Sequence, residues 1–318
     1  NRHRHKKSGA SLLAVPRPFP AHRKIRWAPL SGQVRPHSLK KYHKGVRDCD
    51  DIQVLKCQKS GVMVLDKIIN NDEYYEKNIE YQKKMGTTVV NNEKIKSKPL
   101  EDDLRRYQQY KLKFENKTVL DFGCGQGGFI TLMTEVSKKT VGIELNDFNR
   151  KILVENGYDI RKNIGELNNG EKFDFITLNH VFEHLDKPIE VLNNLKKHLK
   201  LGGELIIEVP HSRDFLLNTI DNESFKSFTF WSEHLILHTK ESLEIFLNYC
   251  GYHKSKIIGY QRYPLSNHIY WMSSGKPGGH EVLDFLNDEN LVKSYNNILV
   301  ERDETDTIIG FFKQSVNS

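Results

Sequence analysis

The stretch from Thr118 to Glu144 constrains this chain more than any other. Thr118-Val-Leu-Asp-Phe122 is a short apolar run of the kind a buried strand uses, and Gly123-Cys-Gly-Gln-Gly-Gly128 follows at once. A helix is expected next, because Phe129, Leu132, Met133 and Val136 recur at the spacing of one helical face. Thr140-Val-Gly-Ile-Glu144 reads as a second strand ending in a carboxylate. The glycines have mechanical uses. Gly123 permits a tight turn, Gly125 lets the backbone approach a ligand, and Gly127 or Gly128 lets helix and strand pack closely. Glu144, at a strand tip, is placed to accept hydrogen bonds from two ribose hydroxyls.

The pattern continues downstream. Asn146 is a cap for a helix that Gly157 ends, and residues 158–162 and 173–179 read as further strands. Pro188 opens a helix that buries Val191, Leu192, Leu195 and Leu199. Lys196, Lys197, His198 and Lys200, followed by Gly202-Gly203, are expected to close it, before a fifth strand at 204–209. Strands alternating with amphipathic helices predict an open, parallel α/β sheet, whose ligand lies beyond the carboxyl ends of the strands.

Charge divides the chain. The formal net charge is +7, yet residues 1–47 hold 13 Lys/Arg, five of the 14 His, five of the ten Pro and no acid. The other 271 residues carry 35 bases against 41 acids, so the body needs no polyanion to explain it. Residues 1–47 are expected to be a disordered or non-native basic tail, dispensable for activity and the only part suited to nucleic acid. Cys57-Gln-Lys-Ser-Gly61 resembles one knuckle of a zinc ribbon, with Ser60 in place of the second thiolate. A metal-free hairpin relic is therefore expected near residue 57, since Cys49, Cys57 and His43 fall short of four ligands. Residues 72–84 and 99–114 read as helices leading into the core. Four scattered cysteines suggest a reducing compartment, and no apolar run approaches the ~18 residues of a membrane span. A cytoplasmic enzyme is the expectation.

Gly123, Gly125 and Gly128 also satisfy the fingerprint of nicotinamide-dinucleotide enzymes. Asp121 argues against that ligand, because a carboxylate beside the helix N-terminus repels a pyrophosphate. A cationic ligand such as S-adenosylmethionine suits it better. Val119-Leu-Asp-Phe-Gly-Cys-Gly-Gln-Gly127, Val141-Gly-Ile-Glu144, the run from Phe173 to Leu185 and that from Leu201 to Pro210 resemble the successive motifs of class I S-adenosylmethionine-dependent methyltransferases. The likeness is to the group holding ubiquinone-biosynthesis-type and bacterial saccharide-biosynthesis enzymes. It implies a domain at 114–318: a doubly wound, mostly parallel seven-stranded sheet, with strand six at 255–262 and an antiparallel strand seven at 307–313. An insertion at about 263–306 would cap the substrate mouth. It also implies that Asp121, Gly123 and Gly125 line the methionine moiety and that Glu144 holds the ribose, with Cys124, Gly127 and Leu145 among the cofactor-binding residues. Ile164, in the segment 163–166, would lie near adenine, and Asn179 and His180 beneath the sulfonium.

Methyl transfer to a hydroxyl needs alignment and a base, and histidine titrates in the right range. His184, His211 and His234 are the candidate bases, with His238 beside them. His180-Val-Phe-Glu183-His184 also spells a metallopeptidase motif, but it directly follows a strand, and Pro188 forces a fresh helix start. A divalent cation at Glu183 and His184 is a further option, although no metal is expected. Phe225, Phe228, Phe230 and Trp231 could form the facing wall. The reading is a methyltransferase for a small polar acceptor, a sugar or nucleotide-linked sugar. A quinone- or phenol-type O-methyltransferase, a NAD-dependent oxidoreductase and a non-enzymatic protein that binds nucleic acid through residues 1–47 are the rivals.

Overall fold

Seven strands make one sheet in the computed structural model, which describes residues 38–69 and 100–314 together with the backbone of Arg23–Lys24. In chain order the strands are β1 (Arg23–Lys24), β2 (Leu39–Val46), β3 (Cys49–Cys57), β4 (Met63–Leu65), β5 (Lys67–Ile68), β6 (Thr118–Phe122), β7 (Lys139–Ile143), β8 (Ile160–Arg161), β9 (Phe173–Asn179), β10 (Leu199–Pro210), β11 (Ile236–Leu237), β12 (Tyr252–Tyr260) and β13 (Thr307–Gln314). The main sheet runs β12-β13-β10-β9-β6-β7-β8. Its strands are parallel except β13, which lies antiparallel between β10 and β12. The order reverses beside β6, so the glycine loop after that strand opens into the crevice where such sheets bind ligands.

The strands form where apolar residues have a helix to cover them on each side. Leu120, Ile176, Leu178 and Ile207 pack in one cluster with Leu192 and Leu195 of the helix Pro188–His198. On the other face Val119 and Ile206 meet Tyr110 and Phe114 of α1 (Glu101–Phe114) and Phe129 and Met133 of α2 (Gly128–Thr134). Tyr110 and Phe114 stack at 5.4 Å, and burying each such ring contributes on the order of 1.5–3 kcal/mol. α2 stops at Thr134, shorter than its periodicity suggests, and Ile130 is buried while Leu132 is half-exposed. Strand three shrinks to Ile160–Arg161 at the sheet edge, where only β7 pairs with it. Gly202-Gly203 does not cap a helix: β10 begins at Leu199, and the pair sits at the register shift between Leu199 and Glu204.

The N-terminal boundary also moves. Leu39–Val46, assigned to the tail by composition, is a strand hydrogen-bonded to β3. Trimming at residue 47 would remove it. β2, β3 and β4 are joined by β11, which pairs antiparallel with β4, so residues that follow the main sheet's fifth strand complete this smaller sheet. Val54, Met63, Leu65, Phe230, Leu235 and Leu237 form its shared core. Cys49 and Cys57 stand at opposite ends of β3, Cys57 Sγ lies 3.3 Å from Ser38 Oγ, and His43 contacts the Gly45 carbonyl, so no zinc knuckle assembles there. All four cysteines are free thiols. The expected helix at 72–84 lies outside the described residues, and among those described no helix is long and apolar enough to cross a membrane.

Between β12 and β13 the chain forms helices at Leu265–Ser274, Gly279–Val282 and Glu289–Glu301. Trp271 of this segment packs against Phe225 and Phe228, and His268 stacks on Phe215. Asp214 caps the short turn Phe215–Asn218 by accepting a 2.7 Å hydrogen bond from the Leu216 amide. Burial, reinforced by the Asp306 carboxylate, pushes its carboxyl up to about 8. The native state then holds a proton that the unfolded chain has already released, so stability falls as pH rises towards about 8. The slope for one such proton is about 1.4 kcal/mol per pH unit. Asp214→Asn keeps the acceptor oxygen, and it should flatten this part of the profile of melting temperature against pH.

Candidate active site

β6 ends at Phe122, and the chain turns through Gly123, Gly125 and Gly127, all at positive φ. The Gly123 and Cys124 amides both donate to the Ile143 carbonyl, at 2.8 and 3.0 Å, which pins the loop to β7. A Cβ on Gly127 would lie 2.3 Å from Leu153 Cδ2, and one on Gly123 would lie 2.5 Å from Val181 Cγ2. These two glycines are required by packing. Gly125 differs: a Cβ there meets nothing within 4 Å, so its exposed side faces open space, as a backbone that approaches a ligand should.

Glu144 follows β7 directly and closes the loop from the other side. Its Oε2 accepts from the Gly125 amide and its Oε1 from the Asn146 amide, each at 2.7 Å. Burial pushes the carboxyl up to about 7 against those two amides. Each oxygen retains a second lone pair for a ligand hydroxyl. Arg150 donates to the Glu144 and Leu145 carbonyls, and Asn146 caps the helix Asp147–Glu155 as its sequence position suggests. Asp121, buried within β6, accepts from Thr177 Oγ1 at 2.7 Å and from Asn179 Nδ2 at 3.3 Å. Burial raises it to about 6 despite those bonds. Asn179 Oδ1 accepts no hydrogen bond among the described residues and is available to a donor. Burial also raises the Cys124 thiol well above its ordinary value, so Cys124 is no nucleophile. Ile164 opens a short 3₁₀ turn, Ile164–Glu166, just past β8.

The segment after β9 holds the histidines. His180 adopts φ 53°, unusual for a residue with a side chain, and its amide donates to the Glu208 carbonyl at 2.9 Å. Its ring lies between two buried carboxylates, Nδ1 3.3 Å from Glu183 Oε1 and Nε2 3.3 Å from Glu208 Oε1. Burial opposes its charge, but those partners raise its pKa. Glu208 also receives Arg105 at 2.6 Å and Arg106 at 2.7 Å from α1. Composition and motif give no signal for these arginines, and Glu208, though inside the Leu201–Pro210 run, is not marked there as their partner. They come from positions over 100 residues apart in sequence, and only the pairing of β10 beside β9 reveals the row.

His184 and His234 meet, with ring centroids 5.0 Å apart, and Glu183 joins them with Oε1 3.8 Å from His184 Nε2. Burial lowers both imidazoles, His234 to about 3, while His180 and the neighbouring histidines hold the Glu183 carboxyl down at about 2 despite its burial. His211 belongs to another group. Its Nδ1 contacts the Thr305 carbonyl at 3.0 Å, its Nε2 lies 4.0 Å from Asp303, and burial pushes it down to about 4. His238 stacks on Phe182 at 5.2 Å. Of the aromatic wall, Phe230 is buried in the small sheet's core, whereas Trp231 and Phe228 carry the Arg47 guanidinium at 4.6 and 5.2 Å.

The fold and this loop define a Rossmann-like α/β domain. A family model described as a methyltransferase domain matches residues 93–255, just over half of the chain, and the chain belongs to that family. S-adenosyl-L-methionine is the cofactor of the class. Similar curated proteins include an uncharacterised protein of Methanocaldococcus jannaschii, 35% identical over 36% of this chain and 52% of its own length. A ubiquinone biosynthesis O-methyltransferase of Haemophilus ducreyi is 30% identical over 29% of this chain and 44% of its own. The dTDP-4-amino-2,3,4,6-tetradeoxy-D-glucose N,N-dimethyltransferase of Saccharopolyspora spinosa is 30% identical over 30% and 41%. The chain spans about half the length of the curated relatives it matches. Among solved structures, an S-adenosylmethionine-dependent methyltransferase from Archaeoglobus fulgidus is 21% identical with a TM-score of 0.46, covering 66% of this chain and 92% of that one.

Proposed function

We propose that this protein is a cytoplasmic S-adenosyl-L-methionine-dependent methyltransferase acting on a small polar acceptor, a sugar or nucleotide-linked sugar. The observation that carries the reading is the notch in which Glu144 grips the Gly125 amide while Gly125 faces open space. Bound there, the cofactor supplies an activated methyl group on a sulfonium. Glu144 would take the ribose hydroxyls, with Leu145 and Ile164 flanking the adenine. The backbone from Gly123 to Gly127, Asp121 and the unpaired Asn179 Oδ1 would receive the cationic methionine end. His180 is engaged by Glu183 and Glu208, so its part is to hold the edge of that pocket rather than to take a proton.

On the acceptor side, His184 and His234, paired beside the Glu183 carboxylate, would receive a hydroxyl proton, whereas His211 is read as structural. A polar acceptor is favoured because the buried Glu183 Oε2, which accepts no hydrogen bond among the described residues, would stay unmatched against an apolar ring. The sugar N,N-dimethyltransferase among the relatives agrees with this class. Incubation with methyl-labelled cofactor and a panel of nucleotide-linked sugars, free sugars and catechols tests the reading. Label is expected in a sugar, and label confined to the catechols would replace that acceptor class with the quinone type.

A further inference from the structure

We propose that Glu183, His184 and His234 form a binding site for a divalent transition-metal ion. One ligand atom from each lies within 4.8 Å of the others, a span that a single ion can bridge. The sequence offers only the adjacent pair Glu183-His184; the third donor arrives because β11 and its lead-in fold back against the turn Phe182–His184. The Leu235 amide donates to the Glu183 carbonyl at 2.9 Å, which fixes His234 opposite that pair.

The surroundings suit a ligand set. Glu183 is wholly buried, its Oε1 reaches toward both His180 and His184, and its Oε2 accepts no hydrogen bond among the described residues. Leaving a buried carboxylate oxygen unmatched is unfavourable, and a cation relieves it. The His184 and His234 rings face each other with centroids 5.0 Å apart, and the Nδ1 atoms of both are buried. Two imidazoles and one carboxylate select a borderline ion such as Zn²⁺ or Co²⁺ over Mg²⁺ or Ca²⁺, which prefer oxygen. Three protein ligands leave a position open. This deepens the proposed function and rests on it in one respect: an acceptor hydroxyl bound at that position would lose its proton to solvent more readily, and His184 and His234 would act as ligands rather than as bases.

The test is a Co²⁺ and Zn²⁺ titration of the full chain after chelator dialysis, read by the visible absorption of bound Co²⁺ and by calorimetry. One ion per chain is expected, with affinity at least about tenfold weaker in His234→Gln and in His184→Gln. S-adenosylhomocysteine affinity, measured on the same samples, reports folding and the cofactor site separately. Absence of saturable Co²⁺ binding in a wild-type sample that binds S-adenosylhomocysteine overturns the proposal. So does unchanged binding in both variants, which would assign the ion to the histidines of residues 1–47, and so does a preference for Mg²⁺ over Zn²⁺.

Discussion

Glu208→Ala is expected to lower the free energy of unfolding by about 3–5 kcal/mol. Glu208 lies within β10 with no solvent exposure, and it is the common partner of Arg105, Arg106 and His180. Burial alone would raise its pKa, but His180 and Arg106 hold it well below the usual carboxylate range. Truncation leaves Arg106, only 6% exposed, and the imidazole of His180 without their main counter-charge in a medium that screens poorly. Asp102 and Asp103 sit beside the arginines at 3.2 and 3.6 Å and limit the loss without replacing it. Because both arginines project from α1, the helix should loosen first, exposing Tyr110 and Phe114. Urea unfolding measures the change. Glu244→Ala, which removes a half-exposed pair with Lys254, is the control and should stay within about 0.5 kcal/mol.

Glu144→Gln should weaken S-adenosylhomocysteine binding by about 100- to 1,000-fold while leaving the fold intact. Both carboxylate oxygens accept backbone amides at 2.7 Å, from Gly125 and Asn146. In the amide one of these positions becomes an NH₂ group facing an N–H, so one bond is lost and the glycine loop is pushed out of register. The same change removes an acceptor for a ribose hydroxyl. Wild-type affinity should also decline as pH falls through about 7, since a protonated Glu144 accepts fewer bonds. In the Gln variant that decline should be absent, which separates the Glu144 proton from that of Asp121, raised only to about 6.

Much of the main sheet was legible because its signals are local. β9 coincides with its apolar run at 173–179, β6 with 118–122, and β13 extends the expected 307–313 by one residue. The loop glycines and Glu144 could be read from position alone, since φ and close packing at Gly123 and Gly127 admit nothing larger. The rest depended on partners distant in sequence. Leu39–Val46 sits in a stretch with no acid and many cations, yet β3 supplies it with a ladder. β11 is two residues long and has meaning only beside β4. Asp121 stands out for its charge beside the glycine loop, but its bonds to Thr177 and Asn179 arise from the pairing of β6 with β9. The three histidines ranked together by type were divided by topology, with His184 and His234 on one cluster and His211 on another.

Calorimetric titration of the 318-residue chain with S-adenosylhomocysteine, run beside NAD as competitor, tests the nucleoside notch most directly. The expected isotherm shows one site per chain, unaffected by NAD. Saturable NAD binding with no heat from S-adenosylhomocysteine would contradict the assignment of a methyl-donor pocket to the Gly125–Glu144 cleft.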